Sequence, residues 1–557
     1  MAILRVSLVL TLTWVLLGVS EALAEETRDL SGPLRFEVED GARLVVDGDR
    51  RYLDTLELRV GGSGTALINE LSMDDYVAGI AEMPATWSME ALKAQAVAAR
   101  TYGWYVMRTN VYETYDICAT VSCQVFRGAD VTTGSSSGDR WRDAVDQTAG
   151  EVLIDDDGLP VLARYFSTSG GRTYANEEVF PSTGVHDHLV SIEDPYDEVS
   201  PYHRWTVRFT REEFEALAVR GERLSTVLPI EDIERLGPVD DPRAMIRVTG
   251  ASGDTVELGT GELRDFLSRV APDHYPERFP PLRNDGLRRL PSTVPTARYD
   301  IQVTDDEVVL EGEGWGHGVG MGQYGARARA DEGASYLDIL VAYYNGLQPT
   351  TTGDLPDRVR VGMSTSEQVT IGADAPIRIT ADGEVLEEGA LGTWFVAREA
   401  DGWRLTAPEG HADPLQVTST EVREGPLPVS DAVTVAAEVN NPVRLSLEVL
   451  DEVGEVVVDR DLGVVDAGEQ VAVWRLDDAE GSLVGSGDYR IGLIGEDQAG
   501  ERDGTAVEVS LPLAADDLPS ADDRGPTSSR NLLRLAAVVG GLFSLLLAAI
   551  LVTRRTR

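Results

Sequence analysis

From Ser88 to about Met107 the chain reads as one helix that is apolar almost all round, with Ala91, Leu92, Ala94, Ala96, Val97, Ala98 and Ala99 in succession. A helix with no face to give to water has to be buried, so the fold is expected to be built around it. Its polar side chains, Lys93, Gln95, Arg100 and Tyr102, must find partners or line a cavity. A shorter helix is expected just before it. Ser72 can cap it with Asp75 three residues on, Tyr76, Ile80 and Met83 share a face, and Pro84 stops it.

Around this centre, 557 residues leave room for three to four units. With 42% apolar and 26% charged residues the chain is expected to fold rather than remain disordered. The net charge of −46 repels phosphate backbones and argues against a nucleic-acid partner. A single lysine, Lys93, removes most P-loop, Schiff-base and pyridoxal readings.

The ends suggest a compartment. Arg5, the apolar stretch Val6 to Val19 and Ala22-Leu23-Ala24 read as a secretory signal peptide over 1–24. A transmembrane helix is expected over 531–553, with the basic tail 554–557 on the cytoplasmic side and a flexible stalk at 515–530. The body is then extracellular, anchored to the cell membrane by one pass. In an oxidising compartment Cys118 and Cys123 are expected to form a local disulfide, whereas zinc would need two further ligands.

Between those ends, strand-like runs over 34–70 and mixed short strands and helices over 150–350 read as α+β. Helices are expected near 210–219 and 261–269. After 351 the runs are all β, with a Pro- and Gly-containing break near 421–430. The expected order is an α+β domain over 25–350, a β-rich module over 351–424 and a second all-β module over 425–514.

Glu82 is the most pointed candidate for chemistry. Placed in the last turn of the first helix, among Ile80, Met83 and Trp87, its carboxyl pKa is expected to rise, as a general acid requires. Ser167-Thr168-Ser169-Gly170-Gly171-Arg172-Thr173 offers hydroxyls and backbone N–H groups suited to sugars and lacks the serine-hydrolase G-x-S-x-G pattern. The segment Gly312 to Gln323 is so rich in glycine that its backbone must pass close to a ligand or another chain segment. Within it Gly320, Gly322 and Gly325 match a dinucleotide fingerprint, but outside any clear βαβ unit. His186-Asp187-His188 is a weak metal candidate because no third ligand is spaced to join it.

Taken together the motifs resemble the stage II sporulation protein D / amidase-enhancer family. Tyr76-x-x-Gly79…Glu82-Met83-Pro84, Glu90 through Tyr102, Cys123-Gln124-Val125-Phe126-x-Gly128, Ser169-Gly170-Gly171-x-Thr173, Gly316 through Ala326 and Ile339-Leu340-x-x-Tyr343-Tyr344-x-Gly346 carry that resemblance in order. It implies a lytic transglycosylase acting on peptidoglycan glycan strands stripped of peptides, with Glu82 as the catalytic acid/base. Lys93, Gln95, Arg100, Tyr102, Ser167, Ser169, Gly170, Gly171, Thr173, His317 and Gln323 are the expected substrate-binding residues. Zinc-binding family members use a histidine shortly before the first cysteine. Tyr112 stands there instead, so no metal or other cofactor is expected, zinc at Cys118/Cys123 being the alternative. Residues 425–512 are similar to an immunoglobulin-like domain of the flagellar hook-capping type. The runner-up function is a non-catalytic wall-binding enhancer of an N-acetylmuramoyl-L-alanine amidase, and a third is an extracellular scaffold acting through the β modules.

Overall fold

The computed structural model describes residues 27–511 apart from 62–63, 110–111, 134–135, 281–292, 401, 412, 424–431 and 486. The expected signal peptide, stalk, transmembrane helix and basic tail lie outside the described residues, as does most of the expected break near 421–430. Among the described residues no helix is long and apolar enough to cross a membrane.

The chain divides into two compact units, one closing at Thr406 and one opening at Ala407. Among its described residues the first contains seven helices of at least six residues: α1 (Met73–Ala78), α2 (Met89–Thr109), α3 (Ser136–Gln147), α4 (Arg211–Ala218), α5 (Thr260–His274), α6 (Gln323–Asp331) and α7 (Tyr336–Tyr343). As its composition requires, α2 is central. Ala91, Ala94, Val97 and Ala98 share one core with Ala326 and Ala330 of α6 and Ile339 and Leu340 of α7. Alanine on both sides lets these backbones approach closely, as only small side chains permit. The expected helices near 210–219 and 261–269 are α4 and α5, which pack with two three-stranded sheets around a second core that includes Phe209, Phe214, Ile246 and Leu267.

The β-rich stretch after 351 does not form a module of its own. Its strands Arg358–Ser364, Ile377–Ala381 and Glu384–Ala390 join Leu34–Glu37, Thr55–Gly61, Gly64–Ser72 and Ile117–Cys118 in a seven-stranded sheet. Gln368–Ala373, Trp394–Glu399 and Gly402–Thr406 join Thr27–Leu30, Arg43–Val46 and Arg50–Leu53 in a six-stranded one. The boundary expected at 350/351 falls within the short strand Thr350–Thr351, which pairs with Glu151–Val152, and the next strand pairs back with the N-terminal part of the unit, Val359 opposite Leu71 and Met363 opposite Leu67. Among its described residues the second unit is all β. A three-stranded and a four-stranded antiparallel sheet enclose one core with Trp474, Leu447 and Leu493 buried in it.

A charged ladder ties the returning strand to the N-terminal ones. The buried carboxylate of Glu57 meets Arg35 at 3.0 Å, Arg360 at 2.9 Å and Arg59 at 2.7 Å. Burial alone would raise its pKa, but hydrogen bonding and charge from Arg360, with Arg59, outweigh it and hold the carboxyl below its usual range. A folded pKa below the unfolded one contributes stability above the unfolded value, near 4.3, that is lost as pH falls through the folded value. Acid titrations of fluorescence should therefore show Glu57→Gln less stable than wild type at pH 7, with the two curves converging below about pH 4. Curves that stay parallel to pH 3 would refute this role.

Candidate functional site

Helix α1 starts as its sequence dictates, the Ser72 hydroxyl accepting the Asp75 N–H at 3.1 Å. Its end corrects the sequence reading. The helix stops at Ala78, not at Pro84, and Glu82 lies in the following loop rather than in a last turn. The helix dipole therefore does not act on Glu82 as a capping charge. Gly79 is the physical reason. A Cβ there would run into the Phe126 ring, and without one the chain pairs with 125–127. Ala81 N–H donates to the Val125 carbonyl at 2.8 Å, Arg127 N–H to the Gly79 carbonyl at 2.8 Å, and Ile80 bridges Phe126.

That pairing holds the half-buried Glu82 side chain, whose Oε1 accepts the Val125 N–H at 2.7 Å. From the other side Gln323, at the start of α6, donates its amide to the Glu82 carbonyl and to Gln95 Oε1 of α2, both at 3.2 Å. Behind the carboxylate, Tyr76 donates to Gln124 Oε1, and Gln124 Nε2 donates to the Tyr165 hydroxyl at 2.9 Å. Burial first, and then the charge of Glu82, holds the Tyr165 phenol well above its ordinary pKa. Tyr76 and Tyr102 are raised by burial and by the same carboxylate further down the order of causes. Three neutral phenols therefore surround Glu82 at any physiological pH.

Cys118 and Cys123 form a disulfide with Cα atoms 5.6 Å apart. Ile117–Cys118 is the edge strand of the seven-stranded sheet, so the bridge moors Gln124 and Val125 to that sheet and thereby to Glu82. The residues do not fit zinc. Both sulfurs are bonded to each other, and the Tyr112 hydroxyl sits 3.4 Å from Cys123 Sγ. Among the described residues no three His, Cys, Asp or Glu side chains converge, the His186-Asp187-His188 segment included.

Of the expected site residues, Gln95, Tyr102 and Gln323 gather at Glu82. Lys93 turns instead to Glu90, at 3.1 Å, and to the Tyr336 ring of α7. Arg100 is fully buried as a clamp, 2.8 Å from Asp74 and donating to the Val145 and Glu151 carbonyls. The hydroxyl-rich segment spends its groups on the fold. Ser169 Oγ accepts the Gly171 N–H, Gly170 N–H donates to buried Asp197, and Thr173 Oγ accepts the Ile192 N–H. Ser167 stays half-buried, its carbonyl accepting the Tyr324 N–H at 3.0 Å.

The glycine-rich segment lies against chain, not ligand. It bridges Thr168, Tyr174 and Tyr165 through Trp315, Val319 and Met321. Gly320 has φ +80°, and a Cβ there would strike the Arg164 carbonyl. Gly325 faces the Tyr343 hydroxyl and the Asp194 carboxylate, no place for a phosphate. His317 belongs to this scaffold. Its Nδ1 accepts the Val319 N–H at 3.1 Å, its ring lies by Phe166 and Phe180, and burial pushes its pKa to about 3.

The structure adds residues that the sequence reading did not single out as site residues. Gln124 directly follows Cys123, a signal readable only with the disulfide in mind. Trp87 packs edge-on to Tyr324, centroids 4.8 Å apart, with the Arg327 guanidinium 5.2 Å from the Trp87 ring. Tyr324 is the neighbour of Gln323, so this half-buried aromatic pair adjoins the Glu82 loop.

Comparison with known proteins agrees with this arrangement. A family model described as "Stage II sporulation protein" matches residues 61–154, the stretch holding α1, Glu82, α2 and the disulfide. An uncharacterized protein of Brachyspira hyodysenteriae is 30% identical over 316 residues, covering 56% of this chain and 75% of that one. The stage II sporulation protein D of Bacillus subtilis is 29% identical over 299 residues, 50% of this chain and 75% of that one. The chain belongs to the stage II sporulation protein D / amidase-enhancer family. A further member, the amidase enhancer of B. subtilis, is 30% identical over 316 residues, and this chain covers 39% of its length. The family segment therefore lies within the unit that carries Glu82.

Proposed function

We propose that this protein works on the bacterial cell wall, outside the membrane, as a lytic transglycosylase of peptidoglycan glycan strands with Glu82 as its single acid/base. The observation that carries the reading is the double hold on Glu82, its carboxylate on the Val125 N–H and its carbonyl under the Gln323 amide. A carboxylate fixed this way is positioned for proton transfer. The nearest acids in sequence are committed elsewhere, Asp74 to Arg100 and Asp75 to Arg142 at 2.6 Å. Ordinary glycosidases need two carboxyl groups. Here Glu82 would give its proton to the glycosidic oxygen as the C1–O bond breaks. The muramic acid's own 6-hydroxyl would then close on C1, and its proton would return to Glu82. The intramolecular nucleophile replaces the second carboxylate through proximity.

The test is digestion of peptide-free glycan strands with the purified ectodomain and mass spectrometry for 1,6-anhydro-muramic acid ends. Their appearance supports the reading, and strand binding without them replaces it by the second one. That second reading is a non-catalytic enhancer of a wall amidase, favoured by the 30% identity to the B. subtilis amidase enhancer beside 29% to its stage II sporulation protein D. Truncating the aromatic pair separates binding from chemistry. Trp87→Ala is expected to weaken strand binding by about tenfold, the worth of one sugar-stacking ring, with little change in kcat at saturating strand. Unchanged binding would remove Trp87 from the glycan path.

A further inference from the structure

In a chain with a net charge of −46, Arg164 is a half-buried cation that pairs with no acid among the described residues. It immediately precedes Tyr165. Its Nε donates to Asn176 Oδ1 at 3.2 Å, and its guanidinium lies 4.0 Å over the Phe180 ring. Among the described residues no carboxylate pairs with it. The groups its charge acts on are the phenols of Tyr102 and Tyr105, and burial disfavours its charged form. Two histidines, His186 and His317, are each lowered further by its charge. The neighbouring acids Glu177, Asp155 and Asp187 act instead on His186 and His188.

One cation–π contact and one hydrogen bond to an amide return only part of what desolvating a guanidinium costs. They fix its plane from one face and through Nε. The terminal Nη1 and Nη2 pair, which has no hydrogen-bond partner among the described residues, is left to take a carboxylate side-on. Tyr165, the next residue, ties this position to the candidate active site, its ring 6.5 Å from that of Tyr102 and its hydroxyl accepting from Gln124 at 2.9 Å.

We infer that Arg164 is a substrate-recognition residue that binds a carboxylate of the glycan strand, namely the lactyl carboxylate that each muramic acid exposes once its peptide is gone. The inference rests on the glycan-strand reading above and deepens it. It makes the preference for peptide-free strands a matter of charge, since a stem peptide turns that carboxylate into a neutral amide.

The experiment measures strand affinity for the ectodomain as wild type, Arg164→Gln and Arg164→Lys, with thermal melts to confirm folding. Three probes are used: N-acetylglucosamine oligomers, peptide-free glycan strands and peptide-bearing strands. Arg164→Gln is expected to lose about tenfold or more in affinity for peptide-free strands and nothing for the neutral oligomers, with Arg164→Lys recovering part of the loss. Equal loss on the neutral oligomers overturns the inference in favour of a structural role. A loss confined to peptide-bearing strands overturns it too, assigning Arg164 to a peptide carboxylate. If wild type binds peptide-free strands and Arg164→Gln matches it, the inference fails while the glycan reading stands. If wild type binds none of the three probes, both fail.

Discussion

Glu82→Gln should lower the release of anhydro-muramic ends by about 10²–10⁴-fold, the usual worth of a positioned general acid/base, while strand affinity stays within about twofold. The amide oxygen of glutamine can still accept the Val125 N–H that Glu82 Oε1 accepts at 2.7 Å, so the loop between α1 and α2 keeps its shape. What it cannot do is deliver a proton to the glycosidic oxygen. Single-turnover digestion of peptide-free strands, with binding measured in parallel, reads the two quantities separately. A Gln variant with wild-type turnover would remove Glu82 from the chemistry. One that loses binding and turnover together, with an unchanged melt, would make it a binding residue and favour the enhancer reading.

Arg100→Met should destabilise the first unit by about 3 kcal/mol without altering strand affinity of the folded protein. The guanidinium is fully buried on α2, with two nitrogens on Asp74 of α1 at 2.8 and 3.1 Å and further bonds to carbonyls at Val145 of α3 and Glu151. Methionine fills the stem volume but leaves Asp74 without its partner and takes one donor from each of two carbonyls, a penalty larger than a surface ion pair ever returns. Urea titration of the full chain by tryptophan fluorescence reads the loss, and affinity at low denaturant reads the rest. If the variant is as stable as wild type and binds strands tenfold more weakly, Arg100 belongs to the substrate site after all.

Glu82 and Arg100 show where sequence reasoning reaches and where it stops. The identity of the central helix was legible, because a run of alanine, valine and leucine with no polar face admits no other placement. Glu82 was legible as the pointed residue. Its neighbourhood was not, since α1 ends five residues earlier than its pattern suggests when Phe126, a residue far along the chain, claims the space over Gly79. Helix α3 went unseen because only Trp141, Ala144 and Val145 make its buried stripe in the residues described, too short a signal among charged neighbours. The hydroxyl of Thr173 looked available for sugars because its partner, Ile192, is fixed only by how the strands close.

By itself the sequence determined the central helix, the helices near 210–219 and 261–269, the β character of the described residues after 351 and the motif order that marks the family, because each is a local pattern of side chains. Only the tertiary structure decided that 358–406 completes the N-terminal sheets, that Arg100 clamps while Arg164 stands without a counter-ion, and that the disulfide holds Val125 against Glu82. Those outcomes depend on which distant segments share hydrogen bonds and on which charges find each other in the folded chain, and neither is written in any local stretch.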